Sequence, residues 1–276
     1  MEMLACFISH RVSQGSWNPI AVSRNGPRLF HLMFADDLLL FCKISKAQVI
    51  EVMHCLDLFS RELGLKVNLH KSKAQCSKKV SERRKEVFSG VFNIRFCNDL
   101  GKYLEINIGH AKASRRTTQE VIEKISRKLS SWQRCPLNKV GRLYLVKSVM
   151  AFISVYDMQI FLLPKYACNK IDFLMRQFLW KGQAIGKGLP LVTWEVAITP
   201  RRAGGLGIRD TSCANMAFLE KLVWNYLNNS KKLWEQVLKH KYLRNQSDMN
   251  KNSRNSSSAT WKNIVNAYEH LKEGFR

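Results

Sequence analysis

Two adjacent carboxylates, Asp36 and Asp37, are flanked by short apolar runs over residues 29–34 and 38–42. Runs of that length read as strands, so the pair falls at the bend of a β-hairpin. Neighbouring like charges destabilise one another, and an ionised carboxylate drawn out of water loses several kcal/mol, so a positive group belongs beside them. A divalent cation would supply it. The competing reading is an exposed turn in which both aspartates are simply solvated.

The elements that must position this bend follow from periodicity. Residues 1–11 read as the tail of a helix, with Leu4, Phe7 and Ile8 on one face, and residues 16–28 are turn-rich, with Pro19, Asn25-Gly26 and Pro27. Ser45 with Gln48 makes a capping-box pattern ahead of a helix that carries Val49, Val52, Met53, Leu56, Phe59 and Leu63 on one face and is ended by Gly64. Residues 65–73 alternate apolar and polar and predict a strand entering a basic turn. Residues 81–88 predict a short charged helix, and residues 100–109 one more strand. Helices following on a hairpin and returning strands make an α+β arrangement.

Beyond Gly109 the helical period takes over. A helix over residues 117–132 turns Val121, Ile122, Ile125, Leu129 and Trp132 inward and Lys124, Arg127 and Lys128 outward. The next starts at the Asn138 cap, carries Lys139, Arg142 and Lys147, and is stopped by Pro164. Further helices are expected over 169–180, 211–228, 230–242 and 259–272. Residues 200–207 end in Gly204-Gly205-Leu206-Gly207, which lacks the Lys-Ser/Thr of a phosphate-binding loop and reads as a tight turn. Residues 244–258, rich in Asn and Ser, have almost nothing to bury and predict a disordered linker. The expected layout is therefore a sheet-containing domain over 1–110, a helical one over 111–243, the linker, and a terminal helix over 259–276.

A chain of 276 residues with 46% apolar and 10% aromatic side chains can bury a sizeable core. Its charge narrows the partners: 45 Lys and Arg against 21 Asp and Glu leave +24. Residues 61–147 alone hold 21 Lys or Arg and 7 Asp or Glu, so this third of the chain carries +14. A polyanion, nucleic acid first and an anionic membrane second, is the expected partner. No amphipathic helix has the exposed aromatic face that a membrane surface would take. There is no secretory leader pattern, and the most apolar stretch, residues 143–163, is interrupted by Lys147 and Asp157, so it reads as a buried helix. The eight cysteines are scattered without a C-x-x-C pair, which argues against a zinc module and for small core hydrophobes in a reducing, intracellular setting.

Several motifs in a fixed order carry a resemblance. They are Phe34-Ala35-Asp36-Asp37, then Gly64-Leu65-Lys66-Val67-Asn68 with Lys71-Ser72-Lys73, then Leu100-Gly101-Lys102-Tyr103-Leu104. Leu129-Ser130-Ser131-Trp132, Gly141-Arg142-Leu143, Leu145-Val146-Lys147-Ser148-Val149, Phe178-Leu179-Trp180 and Gly204-Gly205-Leu206-Gly207-Ile208 follow. Over residues 1–242 the chain resembles the second half of the reverse transcriptase of plant non-LTR (LINE-type) retrotransposons.

That resemblance implies part of a right-hand polymerase palm over 1–110 and a helical, thumb-like region after it. It implies RNA-directed DNA synthesis with two Mg²⁺ ions, or Mn²⁺ in their place, on an RNA template and DNA primer with deoxynucleoside triphosphates, in the nucleus. Asp36 and Asp37 match the family's metal-binding pair. Lys71, with Lys73 as the alternate, matches the proton donor to the leaving pyrophosphate. Lys73, Lys124, Arg127, Lys128, Arg142 and Lys147 are the implied phosphate contacts. Two departures stand out. Glu2 is the sole acidic residue ahead of the hairpin, where the family places a further metal-binding Asp, and Glu105 stands where a Gly is common. A chain truncated within the palm is then expected to be inactive alone, or to serve as a non-catalytic, basic RNA- or DNA-binding module.

Overall fold

The computed structural model describes residues 1–23, 25–108, 115–132, 136–181, 189–228, 231–242 and 257–274. The fold is α+β: mostly helix, with three two-stranded antiparallel sheets among the described residues. Two compact units form. One is Met1–His110 with Lys231–Gln246, the other Ala111–Ser230 with Ser247–Arg276.

The first unit is built on two helices, α1 (Glu2–Ser13) and α2 (Lys46–Leu63). Leu4 and Ile8 of α1 and Val52, Cys55, Leu56 and Phe59 of α2 form its core with Trp17. Between them run β1 (Ile20–Ala21), β2 (Arg28–Leu29), β3 (His31–Phe34) and β4 (Asp37–Leu40). Met33, Leu38 and Leu40 pack on that core, so one face of the β3–β4 hairpin is anchored to the helices. Trp17, fully buried, donates its indole N–H to the Phe41 carbonyl at 3.0 Å and ties down the strand that leaves the hairpin.

The Ser45–Gln48 pattern forms only half of a capping box. The Ser45 hydroxyl accepts the Gln48 amide of α2, but the buried Gln48 side chain turns away. Its oxygen accepts from the Asn18 amide and its nitrogen donates to the Ser16 carbonyl, each at 2.6 Å. A helix cap has become the clasp for the loop ahead of the sheets. Gly64 ends α2 at φ +66°, a left-handed position that glycine takes without cost.

Two expected strands are corrected. Residues 65–73 pair with nothing as a strand: Leu65 and Val67 are exposed, and Asn68 draws the backbone into a turn. The Asn68 side chain and carbonyl both accept the Lys71 amide, and the Ser72 hydroxyl donates to the Asn68 carbonyl. Local side-chain bonding of this kind competes with a sheet ladder. A single parallel bridge, Ala74 to Phe96, follows after α3 (Glu82–Phe92) brings the chain back. The strand expected over 100–109 is folded on itself as β5 (Lys102–Tyr103) and β6 (Ile106–Asn107). Leu104 and Glu105 make the turn at φ +50° and +66°.

The second unit begins with α4 (Arg115–Trp132), whose Val121, Ile122, Ile125 and Leu129 are buried as its period requires. The helix expected from Asn138 to residue 163 is not continuous. It runs as α5 (Lys139–Leu145), a π-turn Val146–Met150 and α6 (Ala151–Ile153), breaks at Ser154, and resumes as α7 (Val155–Met158). The irregular backbone after α7 is satisfied by one buried side chain, Asn215. It donates to the Met158 and Phe161 carbonyls at 2.9 Å and accepts the Leu163 amide at 2.7 Å.

After Pro164 come α8 (Lys165–Lys181), the core helix of the unit, and the short α9 (Trp194–Ile198). Residues 200–207 form the tight turn expected of them: an Arg201–Ala203 3₁₀ turn, then Gly204 at φ +83° and Gly207 at +65°. A Cβ at Gly205 would collide with the Thr199 backbone, so only glycine fits there. Then α10 (Thr211–Leu227) begins on Asp210, whose carboxylate accepts the Cys213 amide at 2.7 Å.

The last two helices part company. α11 (Leu233–Tyr242), expected with the helices before it, belongs to the first unit, where His240 lies against Gly26. α12 (Ala259–Gly274) belongs to the second, where its buried Trp261 meets the Tyr226 ring of α10 edge-on at 5.9 Å. Most of the expected linker, residues 244–256, lies outside the described residues. No helix among the described residues is long and apolar enough to cross a membrane. Of the seven described cysteines, Cys55 and Cys168 are buried as expected, whereas Cys6 and Cys213 are exposed.

Candidate functional site

The carboxylate pair stands at the tip of the β3–β4 hairpin. Four cross-strand pairs lead to it, ending with Phe34 opposite Asp37, and the two-residue bend is Ala35-Asp36 with Ala35 at φ +49°. Asp36 and Asp37 are both exposed, and Phe34 beside them is 62% exposed. The apolar faces of the strands hold the hairpin while its tip presents two carboxylates to solvent.

Two other motif segments of the first unit are tied to each other, and the second of them reaches the hairpin tip. The Asn68–Ser72 turn exposes Lys71 and leads into Lys73, whose ammonium nitrogen lies 3.4 Å from where a Cβ on Gly101 would stand. Backbone bonds from Ala74 to Arg95 and from Cys97 to Ala74, and the Gln75 side chain on the Asn98 carbonyl, lash this turn to the segment entering β5. Tyr103 of β5 is close enough to the hairpin tip that the Asp37 charge, after partial burial, helps to raise its phenol above the ordinary tyrosine range. Sequence reasoning missed Tyr103 as a neighbour of the pair. It could be found only by noticing that Leu104-Glu105 is a turn, which brings the β5–β6 hairpin round.

No group of three or more His, Cys, Asp or Glu side chains placed to hold a metal ion exists among the described residues. Mg²⁺ commonly takes one or two carboxylates from protein and fills its remaining positions with water and substrate phosphates, so Asp36 and Asp37 fit a share of one ion. Among the described residues they do not make a two-metal centre.

The cations of the second unit divide. On α4, Arg127 and Lys128 are exposed and Lys124 is half-buried; on α5, Lys139 is exposed and Arg142 half-buried. Lys147, in the π-turn, instead donates to the Leu206 carbonyl at 3.0 Å, pinning the glycine turn. Desolvation, with Arg201 adding a like charge, lowers its pKa.

No protein-family model matches the chain. It is similar to a protein of Arabidopsis thaliana that carries a ribonuclease H name, 36% identical over 131 residues, which cover 48% of this chain and 21% of that protein. It is also similar to an uncharacterized mitochondrial protein of the same plant, 28% identical over 123 residues, or 44% of this chain and 80% of that one. The chain thus spans about a fifth of the first relative's length.

Proposed function

We propose that this chain is the palm-and-thumb portion of a LINE-type reverse transcriptase and that its own activity is to grip nucleic acid, RNA–DNA hybrid above all. The single observation that carries this reading is the exposed Asp36-Asp37 tip with the Lys71–Lys73 turn and the β5–β6 hairpin gathered in the same unit. The ordered motifs, the +24 charge and a relative with a ribonuclease H name support it. In this reading Lys73, Lys124, Arg127, Lys128, Arg142 and Lys147 face phosphates, with Lys147 first leaving the Leu206 carbonyl. Asp36 and Asp37 are the inherited Mg²⁺ or Mn²⁺ ligands, and Lys71 the inherited proton donor.

Binding and synthesis are tested separately. The purified chain binds a fluorescent RNA–DNA hybrid, and affinity falls by about three orders of magnitude between roughly 50 and 200 mM salt if six or more phosphates are engaged. Asp36→Asn leaves that binding intact, and primer extension with Mg²⁺ is absent. Binding indifferent to salt overturns the grip. Extension by the wild-type chain that is lost in Asp36→Asn overturns the non-catalytic assignment.

A further inference from the structure

Along α5, the π-turn and α6 every fourth residue is exposed: Val140, Tyr144, Ser148 and Phe152, with Tyr156 next in sequence beyond the break at Ser154. In an α-helix a step of four residues drifts about 40° round the axis, so such a row would wind away from itself. Here the π-turn Val146–Met150 lies in the middle of the row, and its wider i to i+5 turn takes back part of the drift. Tyr144 at 70% and Phe152 at 51% exposure therefore share one side of the helix. Between them Ser148 is small, its hydroxyl folded back onto the Tyr144 carbonyl at 2.7 Å.

The surroundings of the row are cationic. Residues 136–156 contain Lys139, Arg142 and Lys147 and not one Asp or Glu. The Arg209 guanidinium sits 5.3 Å above the Phe152 ring. Large rings left in water beside cations are poor protein core and a good match to a polyanion that carries flat bases. Bases stack on such rings while the strand's phosphates meet the cations, provided the bases are unpaired and free to splay.

We infer that Tyr144 and Phe152, with Arg209, form a stacking platform for unpaired bases of a single-stranded nucleic acid. This rests on the reading that the chain binds nucleic acid, and it adds which form is gripped here: bases, rather than the backbone of a duplex. The row corrects the expectation that no helix carries an exposed aromatic face. The occupant is a single strand by charge complementarity; a protein partner or an anionic membrane, neither of which presents bases, is the outcome that the abasic probe separates.

The probes are fluorescent oligothymidylate, an abasic strand of the same length and charge, and the RNA–DNA hybrid, titrated with the full chain at two salt concentrations. The wild-type chain prefers oligothymidylate to the abasic strand by about tenfold or more. Tyr144→Ala and Phe152→Ala each shrink that preference, Tyr144→Phe keeps it, Tyr144→Leu does not, and the salt slope stays the same in all. Circular dichroism confirms that these exposed substitutions leave the fold intact. An equal affinity for base-bearing and abasic strands, or a preference that survives the Tyr144→Ala, Phe152→Ala double variant, overturns the platform while the grip on hybrid stands. Absence of salt-dependent binding to all three probes overturns the grip and the platform together.

Discussion

Glu105 is held at φ +66° beside Leu104 at +50°, two consecutive left-handed residues as a type I′ turn requires. A side chain in that region costs about 1 kcal/mol or more, and glycine avoids it at the expense of a floppier unfolded chain. Glu105→Gly is therefore expected to raise the stability of the first unit by about 0.5 kcal/mol in a denaturant titration. A fall would mean that the interaction made by Glu105 outweighs the backbone term. The sequence made the residue conspicuous as a departure from a common Gly, yet strand alternation over Leu104, Ile106 and Ile108 concealed the turn. The carboxylate pair was more legible, because two apolar runs on either side leave adjacent aspartates nowhere but a bend. Tyr103 was not, since its relation to Asp37 depends on a turn two residues later.

At the scale of elements, caps and amphipathic faces were readable and interruptions were not. Ser45, Gly64 and Asn138 mark helix ends by local chemistry, and the buried stripe of α4 repeats at the helical period. The break after α7 depends on Asn215, more than fifty residues away in sequence, which nothing local announces. Replacing Asn215 by Ala strands two carbonyls and an amide in the core, so a loss of about 3 kcal/mol or more is expected in the unfolding of the second unit, and Asn215→Leu does not restore it. The junction of α8 and α10 adds a pH dependence. Burial, opposed by the Thr211 hydroxyl and reinforced by Asp210, raises Asp172 from an ordinary 3.8 to about 6. Its folded pKa lies above the unfolded one, so the folded state binds the extra proton between about pH 4 and 6. Stability from this group is full below that window and is lost as pH rises through 6. Asp172→Asn should flatten this step and stabilise the unit at pH 7.5 by about 1 kcal/mol, after discounting for solvent screening, as read from melting temperatures across pH.

At the scale of the molecule, the α+β class was legible because strand-length runs stop near residue 109 and helical periods follow. The assignment of helices to units was not, because an amphipathic face says that a helix has a partner without saying which. α11 belongs to the first unit, with its Glu235 fully buried and His240 against Gly26, and α12 returns to the second. Both units are thus made of two separate stretches of chain, and a single cut cannot divide them cleanly. A chain ending at Ser230 lacks α11 and α12 at once. It should lose protection in both units: amides of α1 and α2 and amides of α10 all exchange faster than in the full chain, the latter because Trp261, fully buried on Tyr226, is worth about 3 kcal/mol or more. A chain carrying only Trp261→Ala should speed exchange in α10 and leave α1 and α2 unchanged. Faster exchange in α1 and α2 upon that single substitution would show the two units to be one cooperative body.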